Sequence, residues 1–398
     1  MKRFDRARAA ALLLLVPVLS GCWDMKEVEH MFYANAIGID REDGQYVLYV
    51  QLLDFTTLGR SETGVSIGPG TGAVVGRARG KAFNIALHKL YASAQRRIFW
   101  GHLNTIVFGE NLLKEDYLDV MEQITRYYEF RYVHWLFGTR DPIDQLFNIV
   151  PILEYSPVYS QMNDPRDVYN QSSQIKPMRL YRFIREMNEP GMIPLLPSMA
   201  LSPPMWYEGD HPKHTLEMEG YFLIENRKLV GFLDKREAIG IRWLDPDMRR
   251  SPLIIGRTGD PVTPGPNEED PVAIMMFRHK KSRVIPVYEG SEVRFDLDLA
   301  YYADLYQETY DLSISELLER AKKQIASQIR HTYEKGLEFN ADPLHLLYSV
   351  YRDNPSKWRE IQGEGENFPL KKDSLRDINI DIRLKFEGKT TKPIEDYE

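Results

Sequence analysis

Apolar and polar residues alternate over 32–39 and again over 46–55, and Asp40-Arg41-Glu42-Asp43-Gly44 stands between the two runs. A period of two on either side of an Asp-Gly turn predicts a β-hairpin. Residues 59–72 are rich in Gly, Ser and Thr and read as a surface loop. A short strand over 73–78 then leads into a helix over 81–93, where Ala82, Phe83, Ala86, Leu87 and Leu90 recur at helical spacing. The pattern next predicts a buried strand over 104–108 and a helix over 112–127 with Tyr117, Leu118, Met121 and Ile124 on one face. A strand over 131–138 and a short helix over 142–149 follow. Strands alternating with helices imply an α/β layer.

From 151 to 212 the periodicity fades and proline recurs at 157, 165, 177, 190, 194, 197, 203, 204 and 212, around one helical piece over 180–187. Such a stretch reads as a link between two bodies. Beyond it, 216–224 and 228–233 form a second hairpin across Glu225-Asn226-Arg227, followed by a helix over 235–243. A Pro/Gly/acid loop spans 260–270, and strands are expected over 272–279, 282–289 and 292–302. The longest helix covers 313–335, with Ile314, Leu317, Leu318, Ala321, Ile325 and Ile329 in one apolar stripe. A strand over 378–386 closes the pattern, and no repeat of fixed period occurs. The expected fold class is α+β and multi-domain, with mixed and antiparallel sheets each packed with helices. Its divisions are 1–21, 22–205 with the proline-rich link from about 151, and 206–398 with a possible split near 260–270.

One apolar run fits neither template. Lys2, Arg3, Arg6 and Arg8 precede the greasy stretch 9–19, and Leu19-Ser20-Gly21-Cys22 ends it. A positive end, a hydrophobic stem and a small-residue cut site are the layout of an export signal. Eleven residues rise only about 16 Å as a helix, half the ~30 Å of hydrocarbon, so the segment does not span a bilayer. Leucine three before the cysteine, with serine and glycine directly before it, resembles a bacterial lipobox. Cleavage is then expected between Gly21 and Cys22, with an S-diacylglyceryl group and an N-acyl chain on Cys22. Each buried CH₂ contributes ~0.8 kcal/mol, so two or three chains anchor stably where one does not. Asp24 and Glu27, just beyond, have capping-box spacing.

Composition narrows the partners. The chain holds 51 Lys+Arg against 58 Asp+Glu, a net charge of −7. The leader's four basic residues against Asp5 give it +3, so its removal takes −7 to −10. An acidic chain is a poor candidate for nucleic-acid binding, which needs a basic face. Cys22 is the only cysteine, so no intrachain disulfide is available.

Candidate chemistry is sparse. Gly64-Val65-Ser66-Ile67-Gly68 matches the nucleophile-elbow pattern, but it lies in a glycine loop before Pro69, without the strand and helix that the elbow needs. Gly68-Pro69-Gly70-Thr71-Gly72-Ala73 matches a dinucleotide fingerprint equally loosely. The 9 histidines are scattered, the closest pair being His211 and His214, and no metal-ligand spacing appears. Glu268-Glu269-Asp270 reads as a solvated loop. Phe99-Trp100-Gly101-His102, Trp135, Trp206, Trp243 and Trp358 suit core packing better than a ligand cleft. No catalytic residue, metal or cofactor is expected.

The chain resembles, from end to end, the Ger(x)C lipoproteins, the C subunits of nutrient germinant receptors of endospore-forming bacteria. Gly21-Cys22-Trp23-Asp24 with Glu27 resembles the family's G-C-W-D-x-x-E opening, and Ala36-Ile37-Gly38-Ile39-Asp40 its next strand end. Gly80 to Ala86 and Arg96 to Leu103 resemble a helix start and a turn, Ala82 replacing the usual Thr. Gly220-Tyr221-Phe222 with Leu229 to Leu233 is similar to its second hairpin, and Pro355-Ser356-Lys357-Trp358, Phe368-Pro369 and Gly388 to its C-terminal signature. The stretch 155–188 is longer and richer in tyrosine than the family pattern. The resemblance implies several α+β domains in a non-enzymatic subunit, held by Cys22 in membrane lipid on the outer face of the cytoplasmic membrane that becomes the spore inner membrane. It implies assembly with two membrane-spanning subunits, A and B, into a receptor whose response to nutrients starts germination, and it carries over no germinant-contact residue. A lipid-anchored solute-binding protein with a ligand between two lobes, and a surface hydrolase built on Ser66, are the competing readings.

Overall fold

The computed structural model describes residues 31–53, 73–115, 117–127, 129–153, 157–256, 271–290, 292–308, 312–362 and 368–385. The opening hairpin is present: β1 (Met31–Glu42) and β2 (Gln45–Leu53) pair from Tyr33↔Leu53 to Glu42↔Gln45. Asp43 and Gly44 take φ of 50° and 69°, the two left-handed positions that favour Asp-Gly in a two-residue turn. β3 (Ala73–Gly80) pairs beyond β2 and passes directly into α1 (Phe83–Ser93).

β4 (Arg97–Phe99) and β5 (Thr105–Gly109) run parallel to β1, and β6 (Trp135–Thr139) runs parallel to β5. The helix expected over 112–127 is two, α2 (Glu110–Lys114) and α3 (Tyr117–Arg126), because Glu115 leaves helical geometry at ψ −88°. α4 (Ile143–Phe147) follows β6.

The proline-rich stretch corrects the sequence reading, because it folds into the sheet. It forms α5 (Arg166–Ser172), β7 (Met178–Arg179), α6 (Leu180–Asn188) and β8 (Leu195–Leu201), whose residues are almost all buried. A proline within a strand, here Pro197 opposite Tyr221, weakens the strand signal because it donates no ladder hydrogen bond. β8 accommodates it because its pairing with β6 is confined to Gly138↔Ser198. After β8 the short hairpin β9 (Trp206–Glu208) and β10 (His211–Lys213) stands fully exposed.

The hairpin of β11 (Leu216–Glu225) and β12 (Lys228–Asp234) pairs through β11 onto β8. One sheet therefore runs β12-β11-β8-β6-β5-β1-β2-β3, with β4 beside β1 and β7 beside β6, and it crosses position 205 without a break. Its two faces explain the apolar run of β5. Ile106 and Phe108 join α1, α2, α3 and α6 on one side, while Val107 faces α4 and the loops on the other.

The expected helix over 235–243 shrinks to α7 (Ile241–Leu244), since Asp234 Oδ1 accepts from Arg236 N and Glu237 N at 2.7 and 2.8 Å and holds a turn first. A second sheet has the order β13 (Ser251–Gly256), β14 (Pro271–Glu289), β15 (Glu292–Glu308) and β16 (Leu375–Leu384). The strands expected over 272–279 and 282–289 are one strand with a bulge between His279 and Lys281, so the charged break in the pattern marks an extra residue rather than a loop. α8 (Ile314–Glu338) packs Leu317, Ala321, Ile325 and Ile329 on this sheet, its start capped by Ser313 Oγ accepting from Glu316 N at 3.2 Å. α9 (Leu346–Asp353) and α10 (Pro355–Gln362) complete the second core. The architecture is the expected α+β with mixed sheets and helices.

Candidate functional site

Cys22 and Gly21 lie outside the described residues, as do the Ser66 loop and Glu268-Glu269-Asp270. Among the described candidates, His211 is on the exposed β10 and His214 Nδ1 lies 3.2 Å from the Ser202 carbonyl. Trp100, Trp135, Trp243 and Trp358 are core residues, whereas Trp206 and His102 are exposed. Among the described residues no group of three or more His, Cys, Asp or Glu is arranged to hold a metal ion.

The motif residues serve architecture. Asp40 at the end of β1 accepts from Leu112 N at 3.1 Å through Oδ1, placing a carboxylate at the start of α2, and Gly109 is tight against it: a Cβ there would stand 2.2 Å from Asp40 Oδ1. Burial raises the Asp40 pKa despite the backbone hydrogen bonds. Trp100 stacks on Phe130 at 5.3 Å, donates from Nε1 to Tyr91 Oη at 2.8 Å, and its backbone N–H reaches Glu129 at 3.2 Å. Gly231 lies under the Phe339 ring, where a Cβ would sit 2.4 Å from Cδ1.

A cleft of about 690 Å³ lies between the two sheets, a size suited to a small molecule. α5, α6 and the segment between them form one wall, the end of α7 the floor, and Ser282–Pro286 of β14 with Pro343–Asp353 the other wall. The seam is tight beside it. Gly191 has φ +74°, and a Cβ there would meet the Leu347 carbonyl carbon at 2.9 Å; nearby, His345 Nε2 is 2.8 Å from the Ile193 carbonyl. Burial lowers the His345 pKa, so its ring is neutral at pH 7.

Within the cleft, Tyr169 donates its hydroxyl to Asp245, Lys176 pairs with Asp245 and reaches Asp247 at 2.6 Å, and Arg182 Nε bonds the buried Glu186 at 2.6 Å. Arg242 is treated differently. It is 5% exposed, and its Nη2 donates only to neutral acceptors, the Pro252 carbonyl at 3.2 Å and Gln328 Oε1 at 3.5 Å. Its Nε has no partner. Burial draws its pKa down to about 10. These residues come from distant segments, Tyr169 and Asp245 being 76 positions apart, and no local pattern marks them.

Two family patterns match the chain. The family described as "Spore germination protein N-terminal domain" matches residues 24–201, and "Spore germination B3/ GerAC like, C-terminal" matches residues 219–389. The chain belongs to the GerAC-like family of spore germination proteins. Among members of this family in Bacillus subtilis (strain 168), it is 23% identical to spore germination protein KC over 95% of this chain and 93% of that protein. It is 22% identical to spore germination protein B3 over 94% and 97%. The crystal structure of the GerBC protein shares the fold, with a TM-score of 0.50 at 17% identity, covering 88% of this chain and 97% of that one. The GerAC-like chain here has no helix, among the described residues, long and apolar enough to cross a membrane.

Proposed function

We propose that this chain is the lipid-anchored, non-catalytic C subunit of a nutrient germinant receptor, needed for the response that starts spore germination. The observation that carries the reading is the match of both halves of the family, in order, to nearly the whole chain, with relatives of almost equal length. The leader supports the anchor, since four basic residues, a short apolar stem and Leu19-Ser20-Gly21-Cys22 place one thiol where lipid is attached. The body's motif residues, occupied in caps and aromatic packing, support a binding role rather than a reaction. In this reading the protein sits on the outer face of the membrane through Cys22 and assembles with the membrane-spanning A and B subunits.

The test is a Cys22→Ala variant carrying an affinity tag after Glu398. The unaltered chain is expected in the spore membrane fraction, co-purifying with two membrane-spanning subunits, and the variant is expected to be soluble or degraded in spores that ignore nutrients. Membrane retention of the variant, together with a normal nutrient response, would refute the anchor.

A further inference from the structure

The cleft between the sheets is more cationic than an acidic protein requires. Its lining carries five basic residues, Lys176, Arg182, Arg242, Arg283 and Arg352 among them, against three acidic ones, Glu186, Asp245 and Asp353. His345 adds no charge. The lining balance is +2, or +1 once Asp247 on Lys176 is included, on a chain whose total is −7.

The pairing within this set is uneven in an informative way. Lys176 and Arg182 are neutralised by carboxylates. Among the described residues, Arg242, Arg283 and Arg352 make no ion pair; Arg283 and Arg352 are exposed at the rim, Arg352 beside the Tyr348 ring at 5.7 Å. Arg242 lies at the floor, and its partial contact with the Trp243 ring at 4.7 Å and two neutral acceptors do not balance its charge. Keeping a buried guanidinium charged without a counter-charge is costly, and an oxyanion bound beside it offsets that cost. Leu195, Ile241, Leu244 and Leu344 add apolar surface among these polar groups. Carboxylate and phosphate oxygens are what a guanidinium fork recognises best.

We infer that this cleft binds a small soluble amphipathic oxyanion, its carboxylate or phosphate held by Arg242 at the floor and by Arg283 and Arg352 at the rim, its apolar body against the leucine and isoleucine side chains. The site belongs to the folded chain alone. Binding is therefore read without partners, and its failure leaves the receptor-subunit reading standing.

Calorimetric titration of the full-length chain in a nonionic detergent tests it, with phenyl phosphate, hexanoate, inorganic phosphate and hexylammonium as probes at low salt. Phenyl phosphate and hexanoate should bind at one site per chain, inorganic phosphate about tenfold more weakly for want of an apolar body, and hexylammonium not at all. Arg242→Met should weaken phenyl phosphate about tenfold or more, and Arg242→Lys should restore part of the loss. Where Arg242→Met does not fold, the exposed pair Arg283→Gln and Arg352→Gln, changed together, should still weaken binding about fivefold. Equal binding of hexanoate and hexylammonium, no anion binding, or full affinity in the folded variants would overturn the proposal. Vesicles of phosphatidylglycerol supply the same phosphate on a lipid; displacement of phenyl phosphate by them would assign the cleft to headgroups and overturn the soluble ligand.

Discussion

Asp342 shows how one side chain sets a pH response. It is buried after α8, its Oδ2 accepts from Leu347 N at 2.7 Å, and its Oδ1 has no partner. Burial raises its pKa from 3.8 to about 7, with Glu225 adding to the rise. A carboxyl whose folded pKa is raised keeps a proton that the unfolded chain has released, so its stabilising effect is complete below pH 4 and is lost as pH climbs through about 7. His134, lowered to about 4 by burial, acts in the opposite sense, its contribution being lost as pH falls from about 6.5. An Asp342→Asn comparison removes that background. The variant should be the less stable or equal protein at pH 4.5, overtake the unaltered chain as pH rises, and lead by an amount that levels off above pH 8. Urea midpoints measured across that range check it, and a constant difference at all pH values contradicts it.

Among the elements, long regular patterns were legible and interrupted ones were not. The Asp-Gly hairpin and the stripe of α8 were read correctly because a period of two or of 3.6 is set by side chains on one element alone. β8 was missed because Pro194 and Pro197 hide the apolar pattern of a strand that the neighbouring β11 stabilises. The bulge in β14 was read as a gap for a similar reason: His279-Lys280-Lys281 interrupts the alternation while the ladder to β15 continues. The cleft was illegible altogether, since Arg242 looks like any helix arginine until β13 and α8 pack against it. The loop ahead of β8 also yields a prediction. Gly191→Ala places a methyl on a left-handed residue and against Leu347, so the variant should lose about 2 kcal/mol or more in denaturant unfolding. A loss below 0.5 kcal/mol would mean that the seam yields easily.

For the whole molecule, the sheet that crosses position 205 governs how the chain divides. The two family matches meet in the interval between 201 and 219, yet β11, which starts inside that interval and runs beyond it, supplies β8 with seven paired positions. A chain cut after Met205 leaves the apolar edge of β8 open, and such an edge recruits other chains. That fragment is expected to aggregate, whereas one extended through Leu244, which keeps β11 and β12, should stay soluble and melt cooperatively; light scattering and circular dichroism distinguish the two.

The direction of the strands has one more result. β1, β5, β6 and β8 point the same way, with Ile39, Phe108, Gly138 and Ser198 level with one another. Met31 thus starts β1 at one pole of the sheet, and β8 leads at the opposite pole toward the bare Trp206 and Tyr207. Tension applied between those poles would slide neighbouring strands lengthwise, so the ladder's hydrogen bonds share the load instead of opening in succession, and the sheet resists extension as a tie.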